Sequence, residues 1–218
     1  MTIHDERLLT AISSIAAGGM HSVDECLAIG HLAMQSNEVD GDYVEFGCAA
    51  GRTARLIAHL CPDKRIYLAD TFEGLPERLP IDGDSPHYAK GAIACDEMVP
   101  LELFEESCLP FPTTRKGLFK NVEPNLWPRA VSLALIDCDL NQSVTDALNI
   151  VFPLLSRGAV VMIHDYAHPL LPGVKPAVDA FMYREGVLKP NTSGVSTVSP
   201  LQAVNTAGYP RLHYFTRL

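Results

Sequence analysis

The sequence is short of positive charge. Lysine and arginine number 17 against 26 aspartate and glutamate residues, a net charge of −9, whereas nucleic acid and anionic lipid attract clustered Lys and Arg. The expected partner is therefore a small neutral or cationic molecule, not nucleic acid or a membrane. No apolar run approaches the ~20 residues that span a bilayer, and the opening Met1-Thr-Ile-His-Asp-Glu-Arg lacks the layout of a secretory signal. The six cysteines, at 26, 48, 61, 95, 108 and 138, contain no C-x-x-C pair. Those at 26, 48, 61 and 138 lie in apolar segments, as reduced core thiols of a cytoplasmic protein would. Internal repeats, low-complexity tracts and a dividing linker are also absent, so the 218 residues are expected to form one domain with a full core.

What is present alternates between helix and strand. Apolar spacing predicts helices over 5–17 and 23–36 in an N-terminal region of about 40 residues, the second introduced by the capping-box pattern Ser22-Val-Asp-Glu25. Strands are expected at 42–46, 65–69, 131–136 and 158–163. The last two are continuous apolar runs, suited to central parallel strands covered on both faces. Helices over 52–61, 142–155 and 173–185 complete a β-α-β pattern, and 201–206 with 212–217 read as a closing antiparallel pair. Residues 73–112 break the pattern, with six prolines and three glycines around a short helix near 100–108. Such an excursion beside a crevice reads as a lid that contacts substrate.

The most informative stretch is Asp42-Tyr-Val-Glu-Phe-Gly-Cys-Ala-Ala-Gly-Arg-Thr53, a strand that runs into a glycine-punctuated turn and a helix. Gly47 and Gly51 supply backbone able to take positive φ or approach a ligand closely, and the helix start near Arg52 aims unpaired N–H groups at the same crevice. A dinucleotide fingerprint would need glycine where Ala49 stands. The pattern Glu45-x-Gly47-x-x-x-Gly51 instead looks like the loop that holds S-adenosylmethionine (SAM). About twenty residues on, a second strand ends in Asp70, where a parallel sheet places the carboxylate that grips ribose hydroxyls.

Two further strands end in acids. Asp137-Cys-Asp139 follows Ala134-Leu-Ile, and His164-Asp165-Tyr166 follows Met162-Ile, so ligand-type side chains emerge at neighbouring carboxyl ends. Asp137 and Asp165 can offer hard oxygen ligands to a divalent ion, leaving positions for water and a substrate oxygen. Asp137 or Asp139 can accept a proton. His164 is either a ligand or, in a metal-free site, the general base.

These motifs together resemble the macrocin O-methyltransferase family, SAM- and Mg²⁺-dependent enzymes that finish macrolide and other natural-product scaffolds. The likeness runs from about residue 19 to residue 182. Its most specific piece is Leu68-Ala-Asp70-Thr-Phe-Glu-Gly-Leu-Pro76; Lys116-Gly-Leu-Phe119, Ile136–Leu140, Gly158–Tyr166 and Ala177–Phe181 follow in family order. The resemblance implies a Rossmann-like class I methyltransferase fold: α/β, with a mostly parallel seven-stranded sheet and an antiparallel C-terminal strand. It implies that Glu45, Phe46, Gly47, Gly51, Arg52 and Thr53 surround SAM, together with Asp70, Thr71, Phe72, Gly117, Phe119 and Asp137. It also implies that Asp137, His164 and Asp165 bind the metal, and it favours Asp137, the metal-bound acid, over Asp139 as the proton acceptor.

The expected reaction is O-methylation of a small-molecule acceptor, with a homo-oligomer left open. The family usually has Asp-Asp-Tyr where this chain has His164-Asp165-Tyr166, Tyr at Asn141, Gly at Arg52, and an aromatic turn where Cys48-Ala49-Ala50 stands. A histidine in place of a carboxylate favours a transition ion such as Mn²⁺ over Mg²⁺. A chain that binds SAM without turning it over is the reading from another class.

Overall fold

The computed structural model describes Ile12, residues 21–185, Val195–Ser196 and residues 212–217. Seven strands form one sheet: β1 (Asp42–Phe46), β2 (Ile66–Asp70), β3 (Thr113–Lys116), β4 (Val131–Ile136), β5 (Leu155–Ile163), β6 (Val195–Ser196) and β7 (His213–Arg217). Their order is β3-β2-β1-β4-β5-β7-β6. The first five are parallel, and β7 runs antiparallel to β5 and to the two-residue β6. The antiparallel C-terminal strand thus stands as expected, but it pairs with β6; the anticipated partner over 201–206 lies outside the described residues. So does the helix over 5–17, except for Ile12, which is helical and buried.

Alternation along the strands builds two cores. Tyr43, Leu68, Leu133, Leu135 and Met162 face one side, where they meet α1 (Val23–Ser36), α2 (Arg52–Leu60) and α3 (Val99–Glu106). Val44, Phe46, Ala134, Ile136 and Val161 face the other, against α4 (Asn141–Val151) and α5 (Val174–Arg184). The central strands β1 and β4 are buried throughout, which explains the nearly continuous apolar run of β4; the two acids of β1 are paired, Asp42 with Arg65 and Glu45 with the Tyr43 hydroxyl. Ser22 caps α1 through the predicted box: its Oγ accepts from the Glu25 N–H at 3.3 Å, and its own N–H donates to Glu25 Oε2 at 2.7 Å. Such a cap contributes about 1 kcal/mol.

Two features depart from expectation. The helix predicted over 142–155 ends at Val151, because Pro153 stands in a 3₁₀ turn, and β5 already begins at Leu155. Strand β3 was not anticipated: Thr-Thr-Arg-Lys shows no apolar pattern because it lies on the sheet edge. Residues 73–112, expected as a lid, are tied to the rest of the fold at several points. Asp82 Oδ1 accepts from the Asn141 N–H at 2.7 Å and its Oδ2 from the Leu79 N–H at 2.9 Å. Leu75 and Ala92 are joined backbone to backbone, and α3 buries Phe104 completely. Among the described residues no helix is long and apolar enough to cross a membrane.

Candidate functional site

Chain order reverses between β1 and β4, since β2 and β3 lie to one side and β5 to the other. Crevices at such switch points hold ligands in open α/β sheets. A cavity of about 620 Å³ opens there, at the carboxyl ends of the strands. From the first turn it receives Glu45, Gly47, Arg52 and Thr53; from the end of β2, Asp70 and Thr71; from β4, Asp137 and Asp139; from β5, His164 and Asp165. Phe119 completes that wall, and Leu75, Pro76, Tyr88 and Ile93 of the 73–112 excursion close the outer side. Backbone strain gathers here: Ala49, Asp139 and Asp165 all take positive φ without being glycine.

Gly47 is fixed by space as well as by conformation. Its φ is 84°, and a Cβ would lie 2.0 Å from the Asp137 carbonyl oxygen, so the turns after β1 and β4 touch through it. Asp70 organises the same turn. Its Oδ2 accepts from the Ala49 N–H and its Oδ1 from the Phe72 N–H, each at 2.9 Å, leaving each oxygen lone-pair capacity toward the cavity. No side chain caps the start of α2, whose N–H groups remain available beside the turn.

Four of the expected cofactor residues do not line this cavity. Strand alternation sends the Phe46 ring to the opposite face of the sheet, where it lies 5.2 Å from Phe119 and 5.3 Å from Trp127. Phe72 is buried in the core beneath α2. Gly51 caps α2 and is packed under Pro100, and Gly117 donates its N–H to the Asp70 carbonyl at 2.8 Å. These residues shape the walls without presenting side chains to the space.

His164 occupies the centre of the acidic end. Its Nε2 donates to Glu25 Oε1 at 3.2 Å, while its Nδ1 lies 3.0 Å from both Asp137 Oδ1 and Asp165 Oδ2. His21 stands edge-on to it at 4.5 Å; its Nε2 is 3.3 Å from Asp137 Oδ2 and its Nδ1 3.2 Å from Thr53 Oγ1. Neither His21 nor Glu25 was picked out for the site from sequence. Glu25 was legible only as a capping residue, and nothing in the local pattern of His21 points to strand ends more than a hundred residues away.

The electrostatics divide the acids by role. Burial raises the Asp137 carboxyl, but close His164 and His21 outweigh burial and hold it well below the usual carboxylate range. That suits Asp137 to a charged ligand more than to the proton acceptor the resemblance implied. Asp139 moves the other way, pushed well up by burial and by the charges of Asp137 and Asp165. Burial opposes charge on His164, yet Asp137, Asp165 and Glu25 together raise its pKa well above the ordinary value. An imidazole that keeps its proton in this way is not suited to act as a metal-free general base.

The donor set fits a cation. His21, Asp137 and His164 form one cluster of ligand-type atoms and Asp137, Asp139 and Asp165 a second, each cluster within 4.8 Å. His164 Nδ1 is buried close to two carboxylate oxygens with neither aligned as a hydrogen-bond acceptor, an arrangement that a cation between them resolves.

The chain is 34% identical over 171 residues to the 8-demethyl-8-(2,3-dimethoxy-alpha-L-rhamnosyl)-tetracenomycin-C 4'-O-methyltransferase of Streptomyces olivaceus, covering 70% of this chain and 62% of that one. It is 29% identical over 158 residues to the demethyldecarbamoylnovobiocin O-methyltransferase of Streptomyces niveus, with 66% and 59% covered. The chain thus spans under two thirds of the length of either relative. Among solved structures, the O-methyltransferase NovP superposes with a TM-score of 0.76 at 20% identity, over 98% of this chain and 99% of that one. TomG from Streptomyces achromogenes, solved with SAM, gives 0.61 at 17% identity over 98% and 90%. These likenesses show the fold to be that of class I O-methyltransferases, and a family match over residues 7–196 shows that the chain belongs to the macrocin-O-methyltransferase (TylF) family.

Proposed function

We propose that this chain transfers the methyl group of SAM to a hydroxyl of a sugar or other natural-product scaffold, with a divalent cation at the acidic end of the cavity. One observation carries the reading: the cavity brings the glycine turn and Asp70 onto the same walls as Asp137, Asp139, His164 and Asp165. Two curated relatives are named as O-methyltransferases of a rhamnosyl-tetracenomycin and of demethyldecarbamoylnovobiocin, which supports an acceptor of that class.

The chain's own residues divide the work. Gly47 lets the donor approach the backbone, and Asp70 receives its ribose hydroxyls. Asp137, His164 and Asp165 would hold the cation. When bound, SAM supplies an electrophilic methyl group, and the cation favours the deprotonated form of the acceptor hydroxyl. Asp139 accepts that proton: burial has raised its pKa, and a more basic carboxylate is a better acceptor near neutral pH. Transfer would join the methyl carbon to the acceptor oxygen as the sulfur–methyl bond breaks, with S-adenosylhomocysteine left to the glycine turn and Asp70 that would hold it. Residues 73–112 cover the cavity and exclude water while the two reactants are held in line.

A transfer assay tests this with methyl-labelled SAM and a panel of glycosylated, hydroxylated, phenolic and amine acceptors, with and without chelator. Label on an acceptor oxygen that chelation abolishes is the expected result. SAM binding with no transfer to any acceptor would favour a non-catalytic partner, and undiminished transfer in chelator would remove the cation from the reading.

A further inference from the structure

His21 does not belong to the ligand set that the family resemblance implies, yet it has the surroundings of a ligand. Its Nε2 is buried without a hydrogen-bond partner, 3.3 Å from Asp137 Oδ2. His164 Nδ1 is in the same situation 3.0 Å from the other oxygen of the same carboxylate, on a side chain 94% buried, being 6% exposed. In both rings the remaining nitrogen is engaged. Nδ1 of His21 meets Thr53 Oγ1 at 3.2 Å, and Nε2 of His164 donates to Glu25 Oε1 at 3.2 Å. Glu25 is itself fixed by the Ser22 N–H and hydroxyl.

This is how metal-binding histidines are prepared: a hydrogen bond from one ring nitrogen fixes the tautomer and turns the other nitrogen's lone pair to the ion. In the cation-free chain His164 keeps its ring proton among these carboxylates, and a bound cation would take that proton's place; neither His21 Nε2 nor His164 Nδ1 is aligned on a carboxylate oxygen as a hydrogen-bond donor would be.

We propose that the cation is held by His21 Nε2, His164 Nδ1 and Asp137, a set of two imidazoles and one carboxylate, and that this chain therefore takes a transition ion in preference to Mg²⁺. The inference rests on the reading of a metal-assisted site and deepens it, with His21 in the place given above to Asp165. Imidazole nitrogen suits Mn²⁺, Fe²⁺, Co²⁺ and Zn²⁺, while Mg²⁺ keeps to oxygen ligands. The neighbouring oxygen set, Asp137 with Asp139 and Asp165, is the alternative seat for a hard ion. With the nitrogen set occupied, Asp139 stays outside the ligand shell and remains available to receive a proton.

Pulsed electron paramagnetic resonance on the Mn²⁺-loaded chain, without SAM or acceptor, provides the test. The wild type should show coupling to two imidazole nitrogens. His21→Gln and His164→Gln should each leave one, with Mn²⁺ affinity lowered about 10–100-fold or more, the scale of losses around metal ligands. Absence of nitrogen coupling in the wild type would overturn the proposal without any variant, and so would a single coupling that His21→Gln leaves unchanged. Because no methyl group moves in this experiment, two-nitrogen binding in a chain inactive toward every acceptor would refute the methyltransferase reading and leave the ligand set standing.

Discussion

His164 Nε2 donates to Glu25 Oε1 across 3.2 Å, joining the first turn of α1 to the carboxyl end of β5. The same carboxylate closes the capping box with Ser22, so one side chain both starts a helix and orients an imidazole in the site. Hydrogen bonds from His164 and Ser22 overcome the burial that would raise the Glu25 carboxyl and hold its pKa at about 2.

The two duties of Glu25 separate by mutation. Ser22→Ala should cost about 1 kcal/mol of stability, the usual worth of an N-cap, and leave cation affinity unchanged. Glu25→Gln removes the charge that receives the imidazole N–H, so it should cost about 1.5–3 kcal/mol and also weaken Mn²⁺ binding. Urea unfolding and calorimetry check the pair. Equal cation affinity in both variants would show that Glu25 acts only as a cap.

Gly47 and Gly51 should differ sharply when replaced by alanine, although sequence presents them alike. At Gly47 the new methyl group meets a carbonyl oxygen at 2.0 Å, and at Gly51 it meets the Pro100 side chain at 2.8 Å. Backbone in the core of the sheet cannot yield, so Gly47→Ala is expected to cost on the order of 3 kcal/mol or more and to abolish SAM binding. Gly51→Ala displaces only the packed start of α3 and should cost about 1–2 kcal/mol. Chemical denaturation with SAM calorimetry on each variant measures the contrast.

What sequence made legible is what local pattern encodes. The turn over 42–53, the strand-end acids and the buried strands follow from residues that are neighbours in the chain, and each has its own periodicity. Strand β3 escaped because an edge strand needs no apolar face, and β5 was read short because Ser156, Arg157 and Gly158 interrupt its apolar run. The Phe46 ring turns away from the cavity, and a motif does not say which way alternate side chains point. His21 and Glu25 could not be found locally, since the packing of α1 against β5 brings them to the site, and 139 positions separate Glu25 from His164.

Asp82 should control the 73–112 excursion from outside the cavity. It is 2% exposed, and its carboxylate joins the excursion to the first turn of α4. Losing two charge-assisted bonds of about 1.5–3 kcal/mol each, with overlap, should raise the free energy of the excursion by roughly 2–4 kcal/mol in Asp82→Ala. Hydrogen exchange should then quicken across 73–98 and stay slow in β1 and β4, with SAM bound more weakly. Uniform acceleration through the central strands would mean that Asp82 supports the whole fold and not the cover.

Glu45 gives the free protein a pH dependence of definite sign. Burial, together with the charges of Asp137 and Asp70, outweighs the hydrogen bond from the Tyr43 hydroxyl and pushes its pKa from the ordinary 4.5 up to about 8. The folded state therefore binds this proton more tightly than the unfolded chain does. Its contribution to stability is fully present below about pH 4.5 and is lost as the pH rises toward 8, with a slope of up to about 1.4 kcal/mol per unit. Asp139, also raised, adds to the same slope. Glu25, held at about 2, acts only below the window, where its stabilisation fades as the pH falls. Glu45→Gln keeps the shape and a hydrogen-bonding group for Tyr43 while removing the titration. Urea midpoints from pH 5 to 8 should decline less steeply in the variant than in the wild type, and the two curves should diverge most at the alkaline end. Parallel curves would mean that Glu45 is ionised in the folded protein throughout this range, and that the Tyr43 hydroxyl compensates its burial more fully than the geometry implies.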